Sequence, residues 1–274
     1  MPATRPPSKT NRPKSGLFRK LYIDAFAGTG YRDAKQDDQI EGFFFPDLAA
    51  SEPQGLLEGS ATLALRTDPP FDRYLFIEKS AERCRHLEAL RQEFQALSHA
   101  IEIRQGDANT EIQQLCKGDW RSQRAVLFLD PYGLAVEWDT ILAIAATKAI
   151  DLWLLFPLGV GVNRLLTRSG EIPAGWRSRL DKLLGTTDWY DAFYKADTRP
   201  TFFPSERVIK ASMDTIGRYF NDRLKTIFAG VADPPGVLRN STCNPLYLLC
   251  FAVGNKAGAP IALRIAKHLL KGLR

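Results

Sequence analysis

The stretch "YIDAFAGTG", Tyr22 to Gly30, decides how the rest of the chain is read. A short apolar run ends on Asp24, and Gly28 and Gly30 follow almost at once. An apolar run of this length bounded by glycine reads as a buried strand. In an open parallel sheet, ligands sit beyond the carboxyl ends of the strands. Glycines there let backbone approach a ligand closely and permit positive φ. A Gly-x-Gly after one strand is weak evidence alone, so the neighbouring strands have to be consulted.

Working outward, "RYLFIEKS", "IEIRQGDAN", "AVLFLDPYG" and "DLWLLFP" read as four further strands. Helical periods lie between them, as in "AERCRHLEALRQEFQALS" and "EWDTILAIAATK". Strand and helix alternate from residue 20 to 157, which predicts parallel βαβ units in a doubly wound α/β sheet. Strands are expected near 21–25, 74–78, 101–105, 125–130 and 151–156, with a late antiparallel strand near 246–253. Residues 31–58 have no clean period and read as a long loop or small insertion. A helical insertion is expected at about 158–203, its aromatics Trp176, Trp189, Tyr190, Phe193 and Tyr194 forming core in preference to a substrate lid. "SERVIKASMDTIGRYFNDRLKTIFAG" reads as one long helix from Ser205, and "APIALRIAKHLLKGLR" as a closing amphipathic helix with a basic face.

Composition narrows the class. The 274 residues are 45% apolar, enough for a sizeable core in one domain spanning 20–274. No run of about 18 apolar residues suggests a membrane span, and the first residues lack the apolar stretch of a secretory signal. Cys84, Cys116, Cys243 and Cys250 show no metal spacing. They read as reduced, buried thiols of a cytoplasmic protein. His86, His99 and His268 are scattered, and no metal site is expected. Residues 1–20 hold six basic residues and no acid, and 256–274 hold five and no acid. Without those eleven, 26 basic residues face 31 acids, a balance of −5. The Pro-rich arm 1–19 is expected to be disordered; it reads either as a nucleic-acid contact or as a solvated tail.

Four successive strands end in a carboxylate at one edge: Asp24, Glu78, Asp107 and Asp130. Clustered carboxylates repel unless donors face them, and ribose hydroxyls or amines are suitable donors. The competing explanation is helix capping, which covers one or two cases more easily than four. A nicotinamide-dinucleotide site would need glycine at 33, where Asp33 stands. Its ribose acid should lie about 20 residues on, whereas Glu78 is 48 beyond Gly30.

"DAFAGTG" resembles motif I of S-adenosylmethionine-dependent methyltransferases, and "DPYG" resembles the [DN]-P-P-[YF] tetrapeptide of enzymes that methylate exocyclic amines. From about 20 to 270 the chain resembles the bacterial three-Cys-motif partner protein family. The likeness rests on "YIDAFAGTG", "GSATLAL", "FIEKS", "FLDPYG", "LLFPLGVGVNRLL" and "PLYLLCFAVGNKAG". The resemblance implies a Rossmann-like methyltransferase fold with a mostly parallel seven-stranded sheet. It implies S-adenosyl-L-methionine as cofactor, held by Asp24, Phe26, Gly28, Gly30, Glu78, Asp107 and Ala108. Glu78 would serve the ribose and Asp107 the adenine. Asp130 and the Pro131 carbonyl would accept from a target amine, and Tyr132 would stack on the base. Asn163 and Arg164 lie where a substrate could reach, although a helix cap and a surface arginine explain them equally. Nucleic acid and a neighbouring three-cysteine-motif protein are the implied partners. "DPYG" departs from the tetrapeptide: the second proline is missing and Gly133 follows Tyr132.

Overall fold

The computed structural model describes residues 18–27, 59–197 and 208–273. The long loop at 31–58, residues 1–17 of the basic arm, Gly28 and Gly30 lie outside the described residues.

Strand β1 is Arg19–Asp24; β2 is Arg73–Glu78, β3 Ile101–Gln105, β4 Gln123–Leu129 and β5 Ile150–Phe156. They form a parallel run in the order β3-β2-β1-β4-β5. The order reverses beside β1, which makes the ends of β1 and β4 a switch point. Between the strands come α1 (Ser60–Leu65), α2 (Ala81–Glu93), α3 (Ala108–Cys116) and α4 (Trp138–Ala146). The alternation expected from the sequence is present, and each strand falls within two residues of its expected place.

Strands buried on both faces need cover on both. Leu21, Ile23, Leu75, Ile77, Leu127 and Leu129 point to a large core shared with Ile112 of α3 and Ile141 and Ile144 of α4. Tyr74 and Phe76 point the other way, into a smaller core with Ala61, Ala64 and Leu65 of α1 and Leu87 of α2. These opposite memberships follow from the two-residue period of a strand.

After β5 the chain makes a π turn, Leu158–Val162, continued by the short α5 (Asn163–Leu165). Gly159 is essential to this turn: a Cβ there would lie 2.0 Å from the Pro245 carbonyl oxygen. Helices α6 (Ala174–Leu184) and α7 (Trp189–Phe193) follow. Trp189 and Phe193 are fully buried, Tyr194 nearly so, and Trp176 and Tyr190 pack against the same core. The aromatics of the insertion are therefore core.

The long helix from Ser205, the helical insertion at 158–203, which contains a strand, and the seven-stranded sheet need correction. Val208–Lys210 is not helical: it is strand β7, paired antiparallel with β6 (Tyr194–Ala196). Helix α8 starts only at Met213, where Ser212 accepts from the Thr215 amide at 3.2 Å, and runs to Ile227. The β-branched Val208 and Ile209 suit a strand, and Ser212 satisfies an amide that helix formation leaves over.

Among the described residues the central sheet has eight strands, not seven. β10 (Pro245–Val253) pairs antiparallel with β5 on one side. Its other side carries β8 (Gly230–Val231) and β9 (Gly236–Arg239), both antiparallel. The registers show one interrupted strand: residues 232–235 stand opposite only Cys250 and Phe251. The interruption contains Pro234 and Pro235, which have no amide hydrogen for the ladder. Helix α9 (Ala259–Leu270) closes the chain, packing Ala259, Ala266 and Leu270 against Ala232, Phe251 and Val253.

Among the described residues no helix is long and apolar enough to cross a membrane, and no His/Cys/Asp/Glu group has metal-binding geometry. Cys84 and Cys250 are buried and Cys116 half-buried, but Cys243 is exposed, contrary to the expectation of four buried thiols.

Candidate functional site

Asp24 is the last residue of β1 and is completely buried. It stands in register with Phe76 on β2 and Phe128 on β4, so all three side chains share one face of the sheet. Glu78 and Asp130 come two residues after those partners, and therefore on that face, at the carboxyl edge. Asp130 and Glu78 lie close enough that both raise the pKa of Asp24.

Burial is the main influence on Asp24. It drives the pKa from 3.8 up to about 7, against two hydrogen bonds that favour ionisation. Ser60, first residue of α1, donates its hydroxyl at 2.5 Å, and the Phe26 amide donates at 3.4 Å. Ser60 thus joins α1 to the end of β1. Sequence reasoning missed it, because nothing local links residues 36 apart.

Glu78 is 6% exposed and ends β2. Its Oε1 accepts from the Ser80 amide at 2.8 Å, with an Arg83 guanidinium nitrogen 4.0 Å away. Cys84 directs its thiol at the Glu78 carbonyl at 3.5 Å, and burial followed by Glu78 raises the thiol pKa. Asp107 is exposed and caps α3: its Oδ1 accepts from the Thr110 amide at 3.0 Å and hydroxyl at 3.2 Å. Capping therefore explains one of the four carboxylates. Asp107 is nonetheless tied to Glu78, because the Gly106 amide donates to the Glu78 carbonyl at 3.0 Å. Ala108 is buried beneath it, and Phe26 packs against the larger core.

The "DPYG" stretch leaves the end of β4 as a turn. Pro131 is buried, Tyr132 is 62% exposed, and Gly133 adopts φ +58°. The left-handed φ costs a glycine little and most other residues more. Asn109 anchors the loop that follows. Its Nδ2 donates to the Ala135 carbonyl at 2.8 Å, while its Oδ1 accepts from the Glu137 amide at 3.0 Å and from the buried Thr140 hydroxyl at 2.8 Å. One side chain thus fixes the loop after Asp130 to the helix that Asp107 caps. The sequence offers no sign of this, since Asn109 reads as an ordinary first-turn residue.

Asn163 and Arg164 lie in α5, half-buried and exposed respectively. Lys210 of β7 donates to the carbonyls of Asn163 and Leu166, both at 2.7 Å, so the insertion's hairpin staples this turn. Burial lowers the Lys210 pKa, assisted by Arg168.

Asp24, Glu78 and Asp130 are thus brought together, with Asp107 tethered beside Glu78. A carboxyl cluster held at a switch point can accept from hydroxyl and amine donors.

No family model and no curated protein matches the chain. Similar solved structures include a conserved hypothetical protein of Streptococcus pyogenes, 14% identical, with a TM-score of 0.33 over 70% of this chain and 86% of that one. Another is LPL1258 of Legionella pneumophila, described as DUF519, 12% identical, with a TM-score of 0.43 over 93% and 84%. A third is EvdMO1, 18% identical, with a TM-score of 0.28 over 83% of this chain and 44% of that one.

Proposed function

We propose that this chain is an S-adenosyl-L-methionine-dependent methyltransferase of an exocyclic amine in nucleic acid. The observation that carries the reading is the cluster of Asp24, Glu78 and Asp130 on one face at the carboxyl edge of three adjacent parallel strands. The antiparallel β10 beside β5 agrees with the sheet that the resemblance to methyltransferases implies. Gly28 and Gly30, which the same resemblance assigns to the cofactor, lie outside the described residues.

The residues present fit the cofactor's donor set. Glu78 commits Oε1 to the Ser80 amide and would offer its other oxygen to the ribose hydroxyls. Asp107 spends Oδ1 on capping and would turn Oδ2 to the adenine amine, over Ala108. Buried Asp24 would face a cationic group that favours its ionised form. The cofactor, when bound, supplies an electrophilic methyl group. The Asp130 carboxylate and the Pro131 carbonyl would accept hydrogen bonds from the target amine and turn its lone pair toward that methyl, an effect of orientation. Tyr132, exposed at the rim, would stack on the base. A base within a duplex must first be flipped out.

A second reading is a non-catalytic partner that keeps the cofactor pocket. Tyr132 and Gly133, where the amine methyltransferase tetrapeptide has proline and an aromatic, favour it. Calorimetry with S-adenosylmethionine and S-adenosylhomocysteine tests the pocket. Transfer of labelled methyl to total RNA and DNA tests the reaction. Binding without transfer supports the partner reading, and no binding of either compound overturns both.

A further inference from the structure

The loop after α5 turns its carbonyls toward the β6–β7 hairpin. Lys210 donates to the Asn163 and Leu166 carbonyls, both at 2.7 Å, and the Tyr194 hydroxyl donates to the Thr167 carbonyl at 2.8 Å. Tyr194 and Lys210 stand directly opposite each other on β6 and β7, so both side chains leave one face of the hairpin. Further along, the Tyr190 hydroxyl donates to the Gly170 carbonyl at 2.9 Å, and Gly170 adopts φ +80°. A trans peptide sets each N–H opposite the C=O of the residue before it. Because the carbonyls of Leu166 and Thr167 face the hairpin, the amides of Thr167 and Arg168 face away from it. Among the described residues neither amide has an acceptor.

Positive charge gathers at the same place. Arg168 is exposed and forms no ion pair among the described residues. Lys210, behind the loop, spends two of its three protons on carbonyls and likewise pairs with no carboxylate among them. Burial lowers the Lys210 pKa first, and the nearby Arg168 charge lowers it further. Like charges held together without an acid repel unless an anion joins them. From residue 152 to residue 180 the chain holds Arg164, Arg168, Arg177 and Arg179 against one acid, Glu171.

We infer that the loop 166–169 seats a phosphate of the nucleic-acid target, received by the Thr167 and Arg168 amides and the Arg168 guanidinium, with Lys210 adding its charge from behind. Successive outward amides are the unit from which anion-binding nests are built. A guanidinium adds a fork that matches two phosphate oxygens. Position selects nucleic acid over an acidic peptide. The π turn that leads into the loop packs against the chain after Tyr132, since a Cβ at Gly161 would lie 2.7 Å from Leu134 Cδ1. The seat therefore stands on the same sheet edge as the exposed Tyr132 ring. A ring for a base near a cationic seat for a phosphate is what single-stranded nucleic acid uses, whereas an acidic peptide would leave the ring idle. The inference rests on the nucleic-acid reading above and adds to it a phosphate contact outside the residues proposed for methyl transfer.

The test is fluorescence anisotropy of a labelled oligothymidylate with the full chain, without cofactor, across a salt series. Arg168→Ala should weaken binding about tenfold at low salt, since a charged bidentate contact is lost. The slope of log K against log salt should flatten by about 0.7, the share of one single-stranded phosphate. Arg218→Ala, which removes another exposed cation from α8, should leave both nearly unchanged. Arg168 is exposed, so Tm should hold; if it falls, Arg168→Lys takes its place and should still weaken binding, because it keeps the charge and loses the fork. Failure of the wild type to bind the oligonucleotide, or equal effects of the two alanine substitutions, overturns the proposal. So does Arg168-dependent binding of polyglutamate or of inorganic phosphate in preference to the oligonucleotide. Labelled methyl transfer separates the seat from the broader reading. Transfer to nucleic acid with an unchanged KM in Arg168→Ala would keep the methyltransferase and overturn the seat. Arg168-dependent oligonucleotide binding without any transfer would support the seat and count against the methyltransferase.

Discussion

Replacing Asp24 by Asn removes a carboxyl group that the fold holds protonated. The side chain is fully buried, and its pKa rises from 3.8 to about 7, chiefly through burial and then through Asp130 and Glu78. In the unfolded chain the group ionises near 4, while in the native state it keeps its proton to about pH 7. Between those values the native state binds more protons than the unfolded one, so this group's contribution to stability falls as pH rises. It is fully present below pH 4 and lost by about pH 7. Each pH unit in that interval is about 1.4 kcal/mol, so the loss approaches about 4 kcal/mol. Asparagine retains an oxygen for the Ser60 hydroxyl and cannot ionise. The stability of Asp24→Asn relative to wild type should therefore climb by about 4 kcal/mol from pH 4 to pH 7 and level off above. Urea denaturation of both proteins at half-unit pH steps measures that difference and cancels the titrating groups that do not interact with Asp24. A difference that does not change with pH would mean Asp24 ionises normally in the native state, and the reasoning from burial would be wrong.

Glu78→Ala should weaken S-adenosylmethionine binding ten- to a hundredfold in calorimetry, since a hydrogen bond to a charged group contributes about 1.5–3 kcal/mol. Asp130→Ala should leave that affinity near wild type while labelled methyl transfer falls by orders of magnitude; equal transfer by both proteins would remove Asp130 from the mechanism. Asn109→Ala deletes three hydrogen bonds, one from the buried Thr140 hydroxyl. A stability loss of about 2–4 kcal/mol is expected, with faster hydrogen exchange confined to residues 134–140. Gly159→Ala forces a methyl against the Pro245 carbonyl and should cost about 3 kcal/mol in denaturant titration.

The parallel run was legible because its strands are apolar on both faces and separated by helical periods. The place of Asp24 at the carboxyl end of β1 was legible for a related reason: the apolar run stops there. What escaped the sequence depends on distant pairing. Ser212 with Asp214 and Ser205 with Glu206 look alike as helix starts. The choice between them is made by Tyr194–Ala196, which draws Val208–Lys210 into a hairpin. Asn109 and Ser60 do their work through partners 26 to 36 residues away. The split of the outer strand was foreshadowed by Asp233-Pro234-Pro235, although proline alone does not say that the chain resumes the same ladder two residues out of step.

That interruption has a consequence for solubility. A sheet rim with an unbroken row of amide donors and carbonyls is a template on which another chain can add a strand. On the β10 side, the two prolines leave only a two-residue and a four-residue piece to offer. At the opposite rim, β3 carries Glu102 and Arg104, paired with each other at 2.7 Å, and Glu102 is also bound by Arg73. An incoming strand there would have to displace charged side chains that already satisfy one another. One rim is guarded by missing donors and the other by charge, so among the described residues neither β3 nor the broken β8–β9 strand offers a neighbour an easy edge to continue.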